Sequence, residues 1–247
     1  MNVKYIDVNC DVGEGIANES DLFPFISSCN IACGGHYGTK ETMKATVDLA
    51  ITYGVKIGVH PSYPDKENFG RVSIDISKNA FVNSIKKQIR DFVDVLNEKK
   101  AVLHHIKPHG ALYNDLVKDK GLAIAFLESI LAYKEKVVLY SPYKSIIAKE
   151  ANKQGFMVKY EAFADRNYNS DLSLVSRKSK QALIESPQEV LEHIKVMVEQ
   201  EKVKNVLGVL EPIKASTFCV HGDCANALDI LTYLSKELPK LKIKKSV

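Results

Sequence analysis

Ionisable and amide side chains gather at a few short stretches of this sequence, most with glycine or proline close by. Asp7-Val8-Asn9-Cys10-Asp11 alternates polar and apolar residues, so an extended backbone puts Asp7, Asn9 and Asp11 on one face. Carboxylates on an inward face are costly unless paired, hydrogen-bonded or hydrated, so the pattern points to a polar site. Gly13-Glu14-Gly15 follows, where glycine lets the backbone turn tightly and bring Glu14 over the strand end. Later come His36 after Gly34-Gly35, His60 before Pro61, and Phe69-Gly70-Arg71. His105, Lys107 and His109 share a phase, as do Cys219, His221 and Asp223, and Glu161–Arg166 ends in Asp165-Arg166. Four of the seven histidines, His36, His60, His109 and His221, thus stand at strand exits.

Imidazoles beside carboxylates can move protons, while lysine and arginine can hold phosphate or an oxyanion. Clustered His and Asp also suit a divalent metal, but their spacing fixes no ligand set. G-x-S-x-G, H-E-x-x-H and Walker A patterns are absent. Gly34–Lys40 (GGHYGTK) resembles a phosphate loop ahead of a helix near Thr39, without the G-K-[ST] ending.

The elements that must position these groups alternate along the chain. Strands are expected at Val3–Cys10, Ser28–Ala32, Val55–Val59, Val102–Lys107, Lys136–Ser141, Phe156–Glu161 and Ala215–Val220. Helices are expected at Thr39–Tyr53, Ser77–Lys99, Gly121–Tyr133, Tyr143–Lys153, Pro187–Gln200 and Cys224–Lys236. In Ser77–Lys99, Phe81, Ile85, Ile89, Phe92 and Leu96 recur at three- and four-residue steps, giving one buried stripe. Such alternation indicates βαβ units and a parallel sheet. His60-Pro61, Lys107-Pro108 and Ser141-Pro142 end strands, because proline cannot donate to the next ladder rung. Closed barrels and open doubly wound sheets both place ligands at the carboxyl ends of strands, so periodicity leaves that choice open. A β-hairpin near Val203–Ile213 is also expected.

At 247 residues, 45% hydrophobic and 26% charged, the chain can bury a core without covalent staples. It reads as one α/β domain over 1–247, with a short basic tail from about 239 that is expected to be frayed and solvated. No run is apolar enough to span a bilayer, and no signal-peptide pattern opens the chain, so the expected location is cytoplasmic. A charge of +4 without an aromatic-interleaved basic patch gives no nucleic-acid motif. Five cysteines, an odd number without C-x2-C spacing, read as small buried thiols.

Six ordered blocks, Asp7–Gly15, Cys29–Gly38, Gly58–Arg71, His105–Asn114, Glu161–Arg166 and Cys219–Asp223, resemble the LamB/YcsF family, also called the family of 5-oxoprolinase A subunits. The resemblance implies a seven-stranded (β/α) barrel like that of the glycoside hydrolase/deacetylase superfamily. It implies ATP-driven cleavage of 5-oxo-L-proline to L-glutamate, with Mg2+ riding on ATP and with B and C subunits as partners. Gly35 departs from the family pattern, which has a bulky residue there, as do Cys224-Ala225-Asn226 and Asp171–Arg177.

On this reading Asp11 and His109 perform acid–base work, and Lys107 and Arg166 stabilise phosphate or an oxyanion. His36, His221 and Asp223 orient these groups or bind the substrate carboxylate, while Asn9, Glu14, His60 and Asp165 complete the mouth. Two rival readings share the barrel. A metal-dependent deacetylase or amidohydrolase would act without ATP, and a non-catalytic binding subunit would tolerate substitution of the strand-end residues.

Overall fold

The computed structural model describes residues 3–246. Its strands in chain order are β1 (Lys4–Val12), β2 (Ser28–Ala32), β3 (Lys56–His60), β4 (His105–Ile106), β5 (Val138–Pro142) and β6 (Met157–Phe163). There follow β7 (Lys202–Lys204), β8 (Leu210–Pro212), β9 (Thr217–Cys219) and β10 (Ile243–Lys245). Strands β1 to β6 and β9 pair in parallel, and β9 returns to β1, closing the seven-stranded barrel. Strands β7 and β8 form the antiparallel hairpin expected from the sequence.

The helices are α1 (Lys40–Tyr53), α2 (Lys78–Lys99), α3 (Gly110–Lys118), α4 (Lys120–Ser129), α5 (Ile146–Lys153), α6 (Pro187–Gln200) and α7 (Ala227–Glu237). Helix α2 begins where Ser77 accepts a hydrogen bond from the Ala80 N–H and ends at Lys100 in the left-handed region. Its stripe of Phe81, Ile85, Ile89, Phe92 and Leu96 is buried, each large side chain contributing about 1.5–3 kcal/mol of burial free energy. No described helix is long and apolar enough to cross a membrane.

The apolar core lies between barrel and helices, where Val8, Ile31, Val59, Ile106, Leu139 and Phe218 face outward from their strands. The barrel interior is instead polar, because β1 alternates as expected. At its lower end Asp7 accepts from the hydroxyls of Ser28 (2.7 Å) and Thr217 (2.6 Å). Midway, Asn9 donates to Glu161 (2.8 Å) and Thr217 (2.7 Å) and accepts from Asn30 (2.8 Å). His105 reaches the same level and lies 2.7 Å from Asn30 Oδ1. At the top, Asp11 meets the mouth.

Two sequence expectations are corrected. The basic tail is not frayed: β10 adds to the lower half of β1, pairing Lys4 with Ile243 and Ile6 with Lys245, and Lys245 donates to the Pro24 and Ile26 carbonyls. One apolar residue among lysines hid this strand. Helix α3 was also missed, because Pro108-His109-Gly110 reads as a strand exit. Gly110 takes φ +57°, and a Cβ there would fall 2.5 Å from the Gly70 carbonyl oxygen, so glycine allows the turn into α3.

Candidate active site

The carboxyl ends of the strands open into one cavity of about 650 Å³. Asp11, Glu14, His60, Lys107, His109, Glu161, Arg166, His221 and Asp223 all line it. Asn9 and His36 lie behind that wall, and Asp165 reaches it through His221. The structure thus brings these residues to one mouth and divides them into four groups.

The first group centres on Lys107, which is fully buried. Its Nζ lies 2.9 Å from Asp11 Oδ1, 3.0 Å from Glu161 Oε1 and 3.1 Å from Cys219 Sγ. Burial opposes the ammonium charge, but Asp11, Cys219 and Glu161 together hold its pKa well above the usual lysine value. Burial likewise opposes the Asp11 carboxylate, and His60 and Lys107 outweigh it, keeping Asp11 well below the ordinary range. Tyr113, from the missed helix α3, donates to Glu161 Oε2 at 2.7 Å.

The second group is a stack of imidazoles. His36 and His109 lie face to face at 3.6 Å, and His60 stands edge-on to His109 at 4.8 Å. His60 Nε2 is 3.0 Å from His109 Nδ1 and 3.4 Å from Asp11 Oδ2. Glu14 Oε1 lies 3.0 Å from His36 Nε2 and 3.3 Å from His109 Nδ1. Burial raises the Glu14 pKa well above its usual value, aided by Asp11. Burial also pushes His109 down to about 3, and His36 further still. These groups are arranged to exchange a proton or to share a cation.

The third group is a carboxylate–imidazole pair. Asp165 accepts from the His221 backbone N–H (2.8 Å) and ring Nδ1 (2.9 Å), while the ring stacks on Phe163. Burial opposes the Asp165 charge, but His221 outweighs it and lowers its pKa. With Nδ1 so held, His221 Nε2 is the ring nitrogen left to serve the cavity.

The fourth group is on the rim. Asp223 does not join the buried cluster; it accepts from Arg71 (2.5 Å) and Arg177 (3.2 Å), tying two loops across the mouth. Arg166 is buried, but it donates to the Ala182 and Val175 carbonyls and so braces the loop that bears Arg177. Exposed ion pairs of this sort contribute about 0–1 kcal/mol. Asp223→Ala is therefore expected to leave the urea midpoint nearly unchanged while trypsin cuts faster at Arg177–Lys180. An unchanged cleavage rate would remove the tether.

The glycine-rich loop lines a separate pocket of about 520 Å³, with Lys40, Lys66 and Lys87, that shares none of the residues of the mouth. Gly34 N–H donates to the Tyr37 carbonyl (2.6 Å), and Thr39 and Thr42 cap each other at the start of α1. At Gly35 a Cβ would fall 2.3 Å from Ser62 Oγ and 2.4 Å from Gln88 Oε1. Ser62 and Gln88 bond each other there, filling the space where the family pattern has a bulky side chain. The five cysteines are free, and all but Cys224 are buried.

Sequence reasoning missed Glu161, Tyr113, Asn30 and Arg71 as site residues. All four stand inside the recognised blocks, and the period of two places Asn30 inward; Tyr113 needs α3 to turn it toward Glu161.

The sequence model of the LamB/YcsF family matches residues 6–246. A protein of Thermococcus sibiricus, named as the A subunit of 5-oxoprolinase, is 38% identical over 97% of this chain and 96% of its own length. One of the same name from Tolumonas auensis is 37% identical, covering 92% of each. The crystal structure of a lactam utilization protein from Thermus thermophilus superposes with a TM-score of 0.91 at 30% identity, over 98% of both chains. With this agreement across nearly its whole length, the chain belongs to the LamB/YcsF family.

Proposed function

We propose that this chain is the A component of an ATP-driven 5-oxoprolinase and carries its ring-opening centre. The observation that carries the reading is one cavity holding two proton-handling groups, Asp11–His60–His109 and Asp165–His221, on either side of Lys107. The relatives' names supply the substrate.

A lactam is a stable amide. Transfer of the γ-phosphoryl group of ATP to its carbonyl oxygen would leave an activated carbon, with ADP released. Water then adds to that carbon, losing its proton at the end of the cavity lined by Asp11, Glu14 and His109. The ring C–N bond breaks as the nitrogen takes a proton from His221, and a second water hydrolyses the acyl phosphate to glutamate and phosphate. Lys107 faces the oxyanion that develops. Arg71, Arg177, Lys118, Lys144 and Lys178 line the outer cavity and suit a phosphate-bearing ligand. These cations share one cavity with Lys107 and His221, so MgATP is assigned to this outer region together with the partner B and C subunits.

The test is glutamate formation from 5-oxoproline and MgATP, with this chain alone and with its B and C partners. Product is expected in the complete mixture and at most traces from the chain alone. No product in the complete mixture would sink the reading.

A further inference from the structure

The imidazole group has a feature that two neutral rings by themselves do not account for. His60 Nδ1 lies 2.7 Å from the Lys107 carbonyl oxygen, and His109 Nε2 lies 3.0 Å from that of Phe69. A carbonyl only accepts, so each of those nitrogens carries its ring's proton. In neutral rings the remaining nitrogens, His60 Nε2 and His109 Nδ1, are therefore both lone-pair acceptors, and they face each other at 3.0 Å. Two lone pairs so close repel unless a cation lies against both. Asp11 aims Oδ2 at the same place, 3.4 Å from His60 Nε2, while Asn30 and Lys107 hold its Oδ1 from behind.

We propose that His60 Nε2, His109 Nδ1 and Asp11 Oδ2 bind one divalent first-row transition-metal ion at the inner end of the cavity. These three donor atoms lie within 4.8 Å of one another, and all three residues are buried. Bonds of about 2.1 Å to nitrogens at this separation subtend about 90°, within reach of an ion that keeps open positions for water. Two imidazoles and one carboxylate suit zinc, cobalt, nickel or iron better than magnesium or calcium. The supporting hydrogen bonds are also those a metal site needs. Backbone carbonyls fix both ring tautomers, and Asn30 and Lys107 orient the carboxylate. Glu14, with Oε1 3.3 Å from His109 Nδ1, adds acidic character beside the ion, and Glu161 balances the nearby Lys107 charge. Such an ion lowers the pKa of bound water. Its catalytic role rests on the reading that water is activated at this end of the cavity; its binding does not.

The full-length chain, stripped with a chelator, is dialysed against Zn2+ and separately against Co2+. The expected result is one equivalent of zinc per chain by elemental analysis, visible absorption from bound cobalt, and a rise in melting temperature with either ion. His60→Gln and His109→Gln should each weaken zinc binding by at least about tenfold. Should either variant fold poorly, the wild-type stoichiometry and cobalt spectrum still decide. Absence of stoichiometric metal, the result expected of a proton shared between the rings, overturns the site, as does full binding by the double variant. Metal binding without glutamate formation in the complete mixture supports the site and sinks the 5-oxoproline reading. Glutamate formation at full rate by chain free of transition metal overturns the ion's role and leaves that reading standing.

Discussion

Asp11→Asn is expected to lower glutamate formation by the complete mixture about 10³-fold while leaving the chain folded. The carboxylate has two separate tasks. Oδ1 accepts from Asn30 (2.7 Å) and Lys107 (2.9 Å), and Oδ2 faces His60. An amide can fulfil the first with its oxygen, but its NH2 then faces His60, where a negative charge stood. Lys107 keeps Glu161, so the stability loss should stay near 1–3 kcal/mol. The pH dependence has a definite sign. Asp11 has a depressed pKa in the folded chain, so its contribution is present above the unfolded value of about 3.9. It is lost as pH falls through the folded value. Urea unfolding should therefore separate wild type from variant at pH 7 and bring them together in strong acid. A rate within tenfold of wild type would remove Asp11 from the chemistry.

Lys107→Met should have the largest effect on stability. The ammonium is enclosed by Asp11, Glu161, Asn9 and Cys219, and methionine fills much of its volume without its charge. Two buried carboxylates then lose their shared cation, a change that costs about 3–5 kcal/mol when one partner of a buried pair is removed. Activity should vanish as well, since the oxyanion loses its cation. As pH falls the stability gap should narrow, because Asp11 without Lys107 takes up a proton more readily and ceases to be an unpaired charge. Denaturant melts at pH 7 and pH 5 would show this. A gap that does not change with pH would mean that packing, not charge, explains the loss.

Much of this arrangement was legible in sequence because the code is short-range. Alternation along Asp7–Asp11 gave the inward face, and proline after His60, Lys107 and Ser141 marked the mouth. Closure of the sheet was not legible from pattern, since β9 meets β1 across two hundred residues and either topology uses the same local signals. The expected strand at Val102–Lys107 shrank to His105–Ile106 because few of its residues find ladder partners on both sides. Asp223 was in phase with His221, but its strand ends at Cys219, beyond which period two no longer directs side chains. Phase also could not show that Arg166 is engaged by loop carbonyls, because those partners come from a segment without regular structure.

The hydrogen-bonded axis of the barrel bears on how such a sequence can vary. Asn9 alone links Asn30, Glu161, Thr217 and Lys107, and through them Asp7, Asp11, Tyr113 and His105. Each replacement strands a donor or acceptor on a neighbour, so effects along this axis should be strongly non-additive. In double-mutant cycles, Asn9 with Asn30 or Glu161 with Tyr113 should show coupling, whereas pairs drawn from the outer apolar layer far apart should add. The interior would then behave as one mutational unit, inherited or exchanged together, while the helices around it are free to drift residue by residue.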